Sequence, residues 1–213
     1  MDEEIADRTE VVVAGHLCLD IIQEIRSGDL IQPGKLLQVG PPTMGELLSL
    51  IAKSLLAMGP GIVAIKCGTD GLYVRTGPKE QLSFIAPNLR DDWANREIIM
   101  PCLQAEVKGT TGAGDTTIAG FLAAITKGCR LIHAMKAACG TGAFCVEAED
   151  ATSNIPGWGT LTNRLASGWK VVATDPLNEP GQGWYWTSWD PKRTNEPQQW
   201  LVGPDDSKKG SSL

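Results

Sequence analysis

A run of small and hydroxylated residues beside a single carboxylate is the part of this sequence best suited to chemistry. The run is Lys108-Gly-Thr-Thr-Gly-Ala-Gly-Asp115. Gly112 and Gly114 let the backbone turn tightly and approach a ligand closely. Because a helix is predicted to begin here, the unpaired amides of Gly112, Ala113 and Gly114 would meet the positive end of its dipole. This pocket suits a phosphoryl group, and Asp115 is placed to accept a proton from an attacking hydroxyl.

Other uses of a glycine-rich turn must be weighed against this one. A Gly-x-Gly-Asp turn also occurs where the aspartate only caps a helix, and the run alone leaves that alternative open. The run is not a Walker A loop, because no Gly-Lys-Ser/Thr follows it. It is not a dinucleotide fingerprint either, because the Gly-x-Gly-x-x-Gly spacing fails.

The elements that would position this turn alternate between apolar strands and amphipathic helices. Strands are predicted at Val11–Ala14, Ile62–Lys66 and Leu72–Arg75, and more weakly at Gln81–Ala86 and Ala105–Val107. Helical spacing covers Glu46–Met58, the segment after Asp115 up to Gly128, and Leu131–Glu147. The alternation predicts an α/β layered fold, and the run Val11–Ala14 is typical of a buried strand in a parallel sheet.

The string Thr110-Thr-Gly-Ala-Gly-Asp115 resembles the second signature of the PfkB/ribokinase carbohydrate kinases, D-T-x-G-A-G-D. The resemblance implies transfer of the γ-phosphoryl group of ATP, with Mg²⁺, to a sugar hydroxyl. It implies that Asp115 is the catalytic base and that Gly112, Ala113 and Gly114 form the anion hole, with Thr110 near the nucleotide. Gly109 stands where the family has its leading aspartate, so the function of that first carboxylate is in doubt here.

Three further stretches are similar to the family in order and spacing. The first, Val11–Asp20, resembles the opening strand and implies that Asp20 contacts substrate hydroxyls, although a solvated turn aspartate fits the spacing equally well. The second, Ile62–Val74, implies that Gly68 and Gly71 border the nucleotide; a simple hairpin turn is the alternative. The third, Ala137–Val146, resembles the helix near the adenine and places Ala138 and Gly142 there. In all, the resemblance covers roughly residues 10–160.

The resemblance implies a ribokinase-like fold, in which helices flank a mostly parallel central sheet, shortened relative to the family. The family's G-G-x-x-x-N signature is absent, since the chain has no Gly-Gly pair. We therefore expect a kinase domain at 1–160, internally shortened near 43–46, and a Trp-rich appendage with a flexible tail at 161–213. Lost strands would expose a sheet edge and favour association, for example as a homodimer.

Composition bounds the partners and the location. The net charge of −6 and the pI of about 5.0 argue against nucleic acid as a partner. Six cysteines without a C-x-x-C pair and two histidines predict no metal site and a reducing compartment. No apolar run approaches the roughly 18 residues of a membrane span, and the acidic start is unlike a signal peptide. We expect a cytoplasmic protein that uses ATP and a small sugar or related alcohol.

Three alternatives to a sugar kinase stay open on the sequence. The first is a catalytically impaired, nucleotide-binding remnant of the same family, which the missing segment favours. The second is a kinase for another alcohol, such as a nucleoside. The third is a scaffolding module that uses the Trp-rich end, whose aromatic residues we expect to pack against the core rather than to bind carbohydrate.

Overall fold

The structure is a computed structural model that describes residues 43–172, 174–188 and 200–208. The predicted strand Val11–Ala14 and the predicted substrate ligand Asp20 lie outside these residues. The first described helix, α1, spans Met44–Leu56. A capping box fixes its start, since the Glu46 amide donates to the Thr43 hydroxyl at 3.4 Å and the Thr43 amide donates to the Glu46 carboxylate at 2.9 Å.

A five-stranded sheet lies between two layers of helices. Its strands are β1 (Ile62–Lys66), β2 (Leu72–Thr76), β3 (Glu97–Met100), β4 (Tyr185–Thr187) and β5 (Trp200–Val202), in the order β1-β2-β3-β5-β4. The predictions for Ile62–Lys66 and Leu72–Arg75 are confirmed. Helices therefore flank a central sheet, as the α/β prediction requires.

The prediction of a mostly parallel sheet is wrong for the described strands, because every pairing among them is antiparallel. The reason lies in the connections. Only the short turn Gly68–Gly71 joins β1 to β2, and so tight a link can only return the chain antiparallel. The link from β2 to β3 holds 3₁₀ turns and one four-residue helix, Arg90–Trp93, and these two strands also pair antiparallel.

Two weaker strand predictions are also wrong. Over 81–86 the chain leaves a 3₁₀ turn, Lys79–Gln81, and forms irregular structure whose apolar residues Leu82 and Ile85 are buried without strand pairing. At 105–107 there is no strand, and the nearest pairing is an isolated bridge between Leu103 and Val171. The sequence analysis made no assignment for β3, although all four of its residues are buried.

Two long helices cover one face of the sheet. Helix α3 spans Ala113–Thr126 and helix α4 spans Leu131–Val146, close to their predicted extents. They pack on each other and on one face of the sheet, which forms the larger of two apolar cores. Phe121 of α3 lies in this core with Leu82 and Trp93. Short helices α2 (Arg90–Trp93), α5 (Trp158–Ala166) and α6 (Asp175–Asn178) complete the chain. Helix α1 covers the opposite face over a smaller core.

The C-terminal residues are part of the sheet, and they carry buried charge. Strand β5 pairs with β3, and the segment after it brings Asp206 against Arg96. Both side chains of this ion pair are at most 1% exposed, and Asp206 also accepts the Glu97 amide at 2.9 Å. Trp200 is fully buried in the larger core, as packing rather than carbohydrate binding requires. The division at residue 160 stays a prediction.

Candidate functional site

The glycine-rich turn enters helix α3 at Gly112, whose backbone is left-handed with φ 75° and ψ −4°. Such a conformation favours glycine. A Cβ atom at this position would also lie 2.5 Å from the Cβ of Ala151. On the incoming side, the Lys108 amide donates to the Val146 carbonyl at 2.8 Å, which ties the turn to the end of α4. The turn is thus held rigidly against the segment that follows α4.

The first turn of α3 offers unused amides. The Ala113 amide donates to the Thr110 carbonyl at 3.2 Å, whereas those of Gly112, Gly114 and Asp115 have no acceptor within 43–172, 174–188 and 200–208. Since a helix concentrates positive partial charge at its start, these donors favour an anion. The three amides of the predicted anion hole thus lie together in one turn, where that of Ala113 already has an acceptor, and their binding of an anion stays a prediction. Thr110 is exposed beside it.

Asp115 is not a helix cap. The N-cap is Gly112, and no side chain caps this helix. The Asp115 side chain is 93% exposed and its only ion pair among the described residues is with Lys66, at 3.7 Å between Oδ1 and Nζ. A carboxylate that is free of structural hydrogen bonds can accept a proton from a ligand. The capping alternative considered from the sequence is thus removed.

Lys66 is the residue of this site that the sequence analysis missed. It ends strand β1, and its side chain is only 11% exposed. The stem runs along the first turn of α3, so that a Cβ atom on Gly114 would lie 2.6 Å from its Nζ. A charged residue at the end of an apolar strand, directly before a glycine turn, is the sequence feature that indicates it.

The turn after β1 begins two residues beyond Lys66. Gly68 and Gly71 both have positive φ, at 58° and 99°, and flank a 3₁₀ turn closed by the Cys67 amide on the Gly71 carbonyl at 2.8 Å. A side chain at Gly71 would collide with the Met100 carbonyl, whereas Gly68 faces open space. Lys66 immediately precedes this turn and lies against Gly114, so the turn lies near the start of α3.

Ala138 and Gly142 lie elsewhere, inside the contact between α3 and α4. Ala138 is fully buried. A Cβ atom on Gly142 would lie 2.3 Å from the Thr117 hydroxyl, which itself donates to the Ala113 carbonyl at 2.7 Å. Likewise, a Cβ atom on Gly120 would lie 2.5 Å from the Thr141 hydroxyl. The structure thus gives these small residues a packing function, and it does not bring them to the open side of the turn.

A polar cavity of about 470 Å³ adjoins the incoming side of the turn. It is lined by Glu106, Lys108, Glu147, Ala148, Ser153 and Asn154. Arg164 donates to both carboxylate oxygens of Glu147 at 2.7 and 2.6 Å, and these hydrogen bonds hold the pKa of Glu147 below its usual value. Arg164 also stacks on the Trp169 ring at 3.7 Å. This wall of the cavity is therefore fixed in place.

The thiols near the Gly68–Gly71 turn are poor nucleophiles. Burial raises the pKa of Cys67 to about 12 and raises that of Cys102 as well. Both thiols donate to backbone carbonyls, to that of Ile65 at 3.5 Å and that of Gly68 at 3.4 Å. Within the described part of the chain, no three His, Cys, Asp or Glu side chains are grouped so as to hold a metal ion. None of the described helices is long and apolar enough to cross a membrane.

Comparison with known proteins places this geometry in a family. The profile of the pfkB family carbohydrate kinases matches residues 42–158, more than half of the chain. The chain belongs to this family. The matched region contains Lys66, the Gly68–Gly71 turn and the whole start of α3.

Individual relatives match about half of the chain. The chain is 39% identical over 97 residues to a nucleoside kinase of Methanocaldococcus jannaschii, covering 45% of this chain and 30% of the relative. A nucleoside kinase of Methanothermobacter thermautotrophicus is 30% identical over 122 residues, which cover 57% and 34%. The crystal structure of the M. jannaschii enzyme aligns with a TM-score of 0.40 at 29% identity, covering 50% and 30%. The matched segment thus spans about a third of these relatives.

Proposed function

We propose that the protein transfers the γ-phosphoryl group of ATP to a hydroxyl of a sugar or nucleoside. The observation that supports this most strongly is the start of α3, where free amides and an exposed carboxylate stand side by side in the family-matched region. Amides that point at one spot stabilise the charge that spreads over a transferring phosphoryl group. A neighbouring carboxylate that accepts no hydrogen bond from the described residues can take the proton of the acceptor hydroxyl.

In this proposal Asp115 is the base. The acceptor hydroxyl loses its proton to the Asp115 carboxylate as its oxygen forms a bond to the γ-phosphorus. The bond from that phosphorus to the bridging oxygen of ADP breaks, and ADP leaves with the electron pair. The amides of Gly112, Ala113 and Gly114 hold the transferring oxygens. Since this chemistry is mostly positioning and charge stabilisation, the chain needs to supply little more at the reacting atoms.

ATP fits the residues present. Free amides, a rigid turn and the Lys66 ammonium offer donors and positive charge to a triphosphate. Bound Mg²⁺ would neutralise part of the phosphate charge, and Asp115 would be a nearby carboxylate. Thr110 and the open turn at Gly68 and Gly71 are proposed to border the nucleotide. Ala138 and Gly142 would do so only from beneath the α3–α4 contact, where they are buried.

The acceptor is proposed to be a small alcohol, and the two nucleoside kinase relatives favour a nucleoside within that class. Asp20 is proposed to hold hydroxyls of the acceptor, following the family resemblance of Val11–Asp20. The kinase region is proposed to end near residue 160. A cytoplasmic location is also proposed. Association into a homodimer is proposed because β1 has one edge unpaired among the described strands.

A second candidate is a nucleotide-binding remnant with impaired transfer. It is favoured by the matched segment, which spans about a third of the relatives. The amides of the phosphate site come from one local turn, whereas acceptor ligands come from distant segments. ATP binding therefore survives shortening more readily than acceptor positioning, which contributes roughly 7–11 kcal/mol of barrier lowering in well-oriented reactions.

ADP release, measured with ATP, Mg²⁺ and a panel of sugars and nucleosides, tests the proposal. Acceptor-dependent release that disappears in Asp115→Asn is the expected result. The exposed Asp91→Asn is the matched control and should behave as wild type, because Asp91 lies on the surface ion pair with Lys79. ATP binding without any acceptor-dependent release would support the remnant instead. Absence of ATP binding would overturn both.

A further inference from the structure

Lys66 is a nearly buried ammonium in a place where its charge is poorly compensated. Its side chain is 11% exposed, and its Nζ lies 3.7 Å from Asp115 Oδ1, which is beyond hydrogen-bonding distance. Within the described part of the chain, the ammonium donates no hydrogen bond and has no other ion pair. A buried ammonium ordinarily has hydrogen-bond acceptors, so three donors of this group are available to a ligand.

The surroundings add positive rather than negative potential. Nζ lies against Gly114 in the first turn of α3, where the helix dipole is positive. Helix ends of this sign stabilise anions and repel cations. Among the described residues, Asp115 is the one carboxylate in contact with Lys66; it is 93% exposed and therefore weakly coupled to the buried ammonium. A second anion at the same place would therefore stabilise the arrangement.

The glycine at position 114 keeps this space open. Gly114, unlike Gly112, has no positive φ, so its backbone does not require glycine. A Cβ atom there would lie 2.6 Å from Nζ and 3.2 Å from both Cδ and Cε of Lys66. The absence of a side chain at 114 thus lets the lysine reach the start of the helix.

We propose that Lys66 is shared between the Asp115 carboxylate and the phosphoryl group of the bound nucleotide. This inference rests on the proposed function and extends it by a residue that neither the sequence analysis nor the family comparison assigns. A base carboxylate and a phosphoryl group repel each other when they meet at one site. An ammonium between them attracts both and reduces this repulsion, so that the base and the anion occupy the site together.

Calorimetric titration of ATP into four full-length proteins tests this: wild type, Lys66→Met, Asp115→Asn and the double variant. Lys66→Met should weaken ATP binding about 10–100-fold, as expected for a lost charge-assisted contact. Asp115→Asn alone should change it by less than about threefold, since the exposed carboxylate is screened by solvent and faces Lys66. The double variant lacks the uncompensated carboxylate, so it should bind ATP at least about tenfold more tightly than Lys66→Met. Lys66→Arg should bind nearly as wild type.

Controls separate this inference from the proposed function. Lys79→Met removes a half-exposed surface lysine and should leave ATP affinity unchanged. Lys66→Gln also removes the charge but keeps a polar end, and it replaces Lys66→Met if circular dichroism shows that the methionine variant does not fold. Wild-type affinity in the Lys66 variant, or a loss that Asp115→Asn does not restore, would overturn the sharing of Lys66 alone. Absence of ATP binding by the wild type would overturn the proposed function and this inference together.

Discussion

Gly114→Ala offers a direct test of how the site is built. The added Cβ atom would lie 2.6 Å from Lys66 Nζ, and its three nearest neighbours are all atoms of this flexible side chain. Since Gly114 does not have positive φ, the backbone accepts alanine. We expect the lysine to move away from the start of α3 while the fold stays intact.

The expected magnitudes follow from these contacts. Moving the end of a lysine costs little, and alanine gains up to about 1 kcal/mol of helix propensity over glycine. The two effects nearly cancel, so the melting temperature should stay within about 2–4 °C of wild type. Loss of the Lys66 contact to the nucleotide should weaken ATP binding about 10–100-fold.

Gly120→Ala is the matched control in the same helix. Its Cβ atom would lie 2.5 Å from the Thr141 hydroxyl, 2.9 Å from the Thr141 Cβ and 3.1 Å from the Ala137 carbonyl, in the packed contact with α4. Overpacking of this kind costs about 1–3 kcal/mol, which lowers the melting temperature by several degrees. ATP affinity should be unchanged, because the substitution lies away from the turn.

Thermal melting and calorimetric titration of both variants decide the matter. The reasoning is refuted if Gly114→Ala binds ATP as tightly as wild type. It is equally refuted if Gly114→Ala loses as much stability as Gly120→Ala, since position 114 would then be a packing site.

Three further predictions follow from the described contacts. Asp115→Asn should lower acceptor phosphorylation about 10²–10⁴-fold without lowering the melting temperature, because the carboxylate is exposed; more than half of the wild-type rate would exclude it as the base. Asp206→Ala should cost about 3–5 kcal/mol in urea unfolding, because it leaves Arg96 buried without its partner; a change below about 1 kcal/mol would contradict a buried pair. The pKa of Glu147 is lowered from its usual 4.5 mainly by hydrogen bonds from Arg164, so its contribution to stability is present above that value and is lost as the pH falls through the folded-state pKa. Wild type should therefore lose more melting temperature on acidification below about pH 4.5 than Glu147→Gln, and parallel pH curves would contradict this.

The sequence predicted several local elements well, including the helix that follows the glycine-rich turn, because their causes are local. Strands at Ile62–Lys66 and Leu72–Arg75 and the helix after Asp115 follow from apolar runs, glycine turns and helical spacing. The assembly of amides and carboxylate at the start of α3 follows from the same short segment.

Features that depend on distant residues were not predictable in this way. Strand β5 joins β3 across about a hundred residues of chain, and its four-residue partner carries no alternation that would reveal a strand. The antiparallel order of the sheet depends on which strands meet, which periodicity does not encode. Lys66 reaches Asp115 only because β1 ends beside α3 in the fold. Gly142 resembles a nucleotide-site glycine in sequence, yet in the fold the absence of its side chain leaves room for the Thr117 side chain.

Transfer of labelled phosphate is the most direct test of the central claim that the start of α3 is a phosphoryl-transfer site. The purified full chain would be incubated with Mg²⁺, ATP labelled in its γ-phosphoryl group, and a nucleoside or sugar, and the products would be analysed by mass spectrometry. The account predicts that the acceptor gains one labelled phosphoryl group in wild type and in Asp91→Asn, and that Asp115→Asn forms almost none. Label that appears only in inorganic phosphate, or transfer that persists in Asp115→Asn, would contradict it.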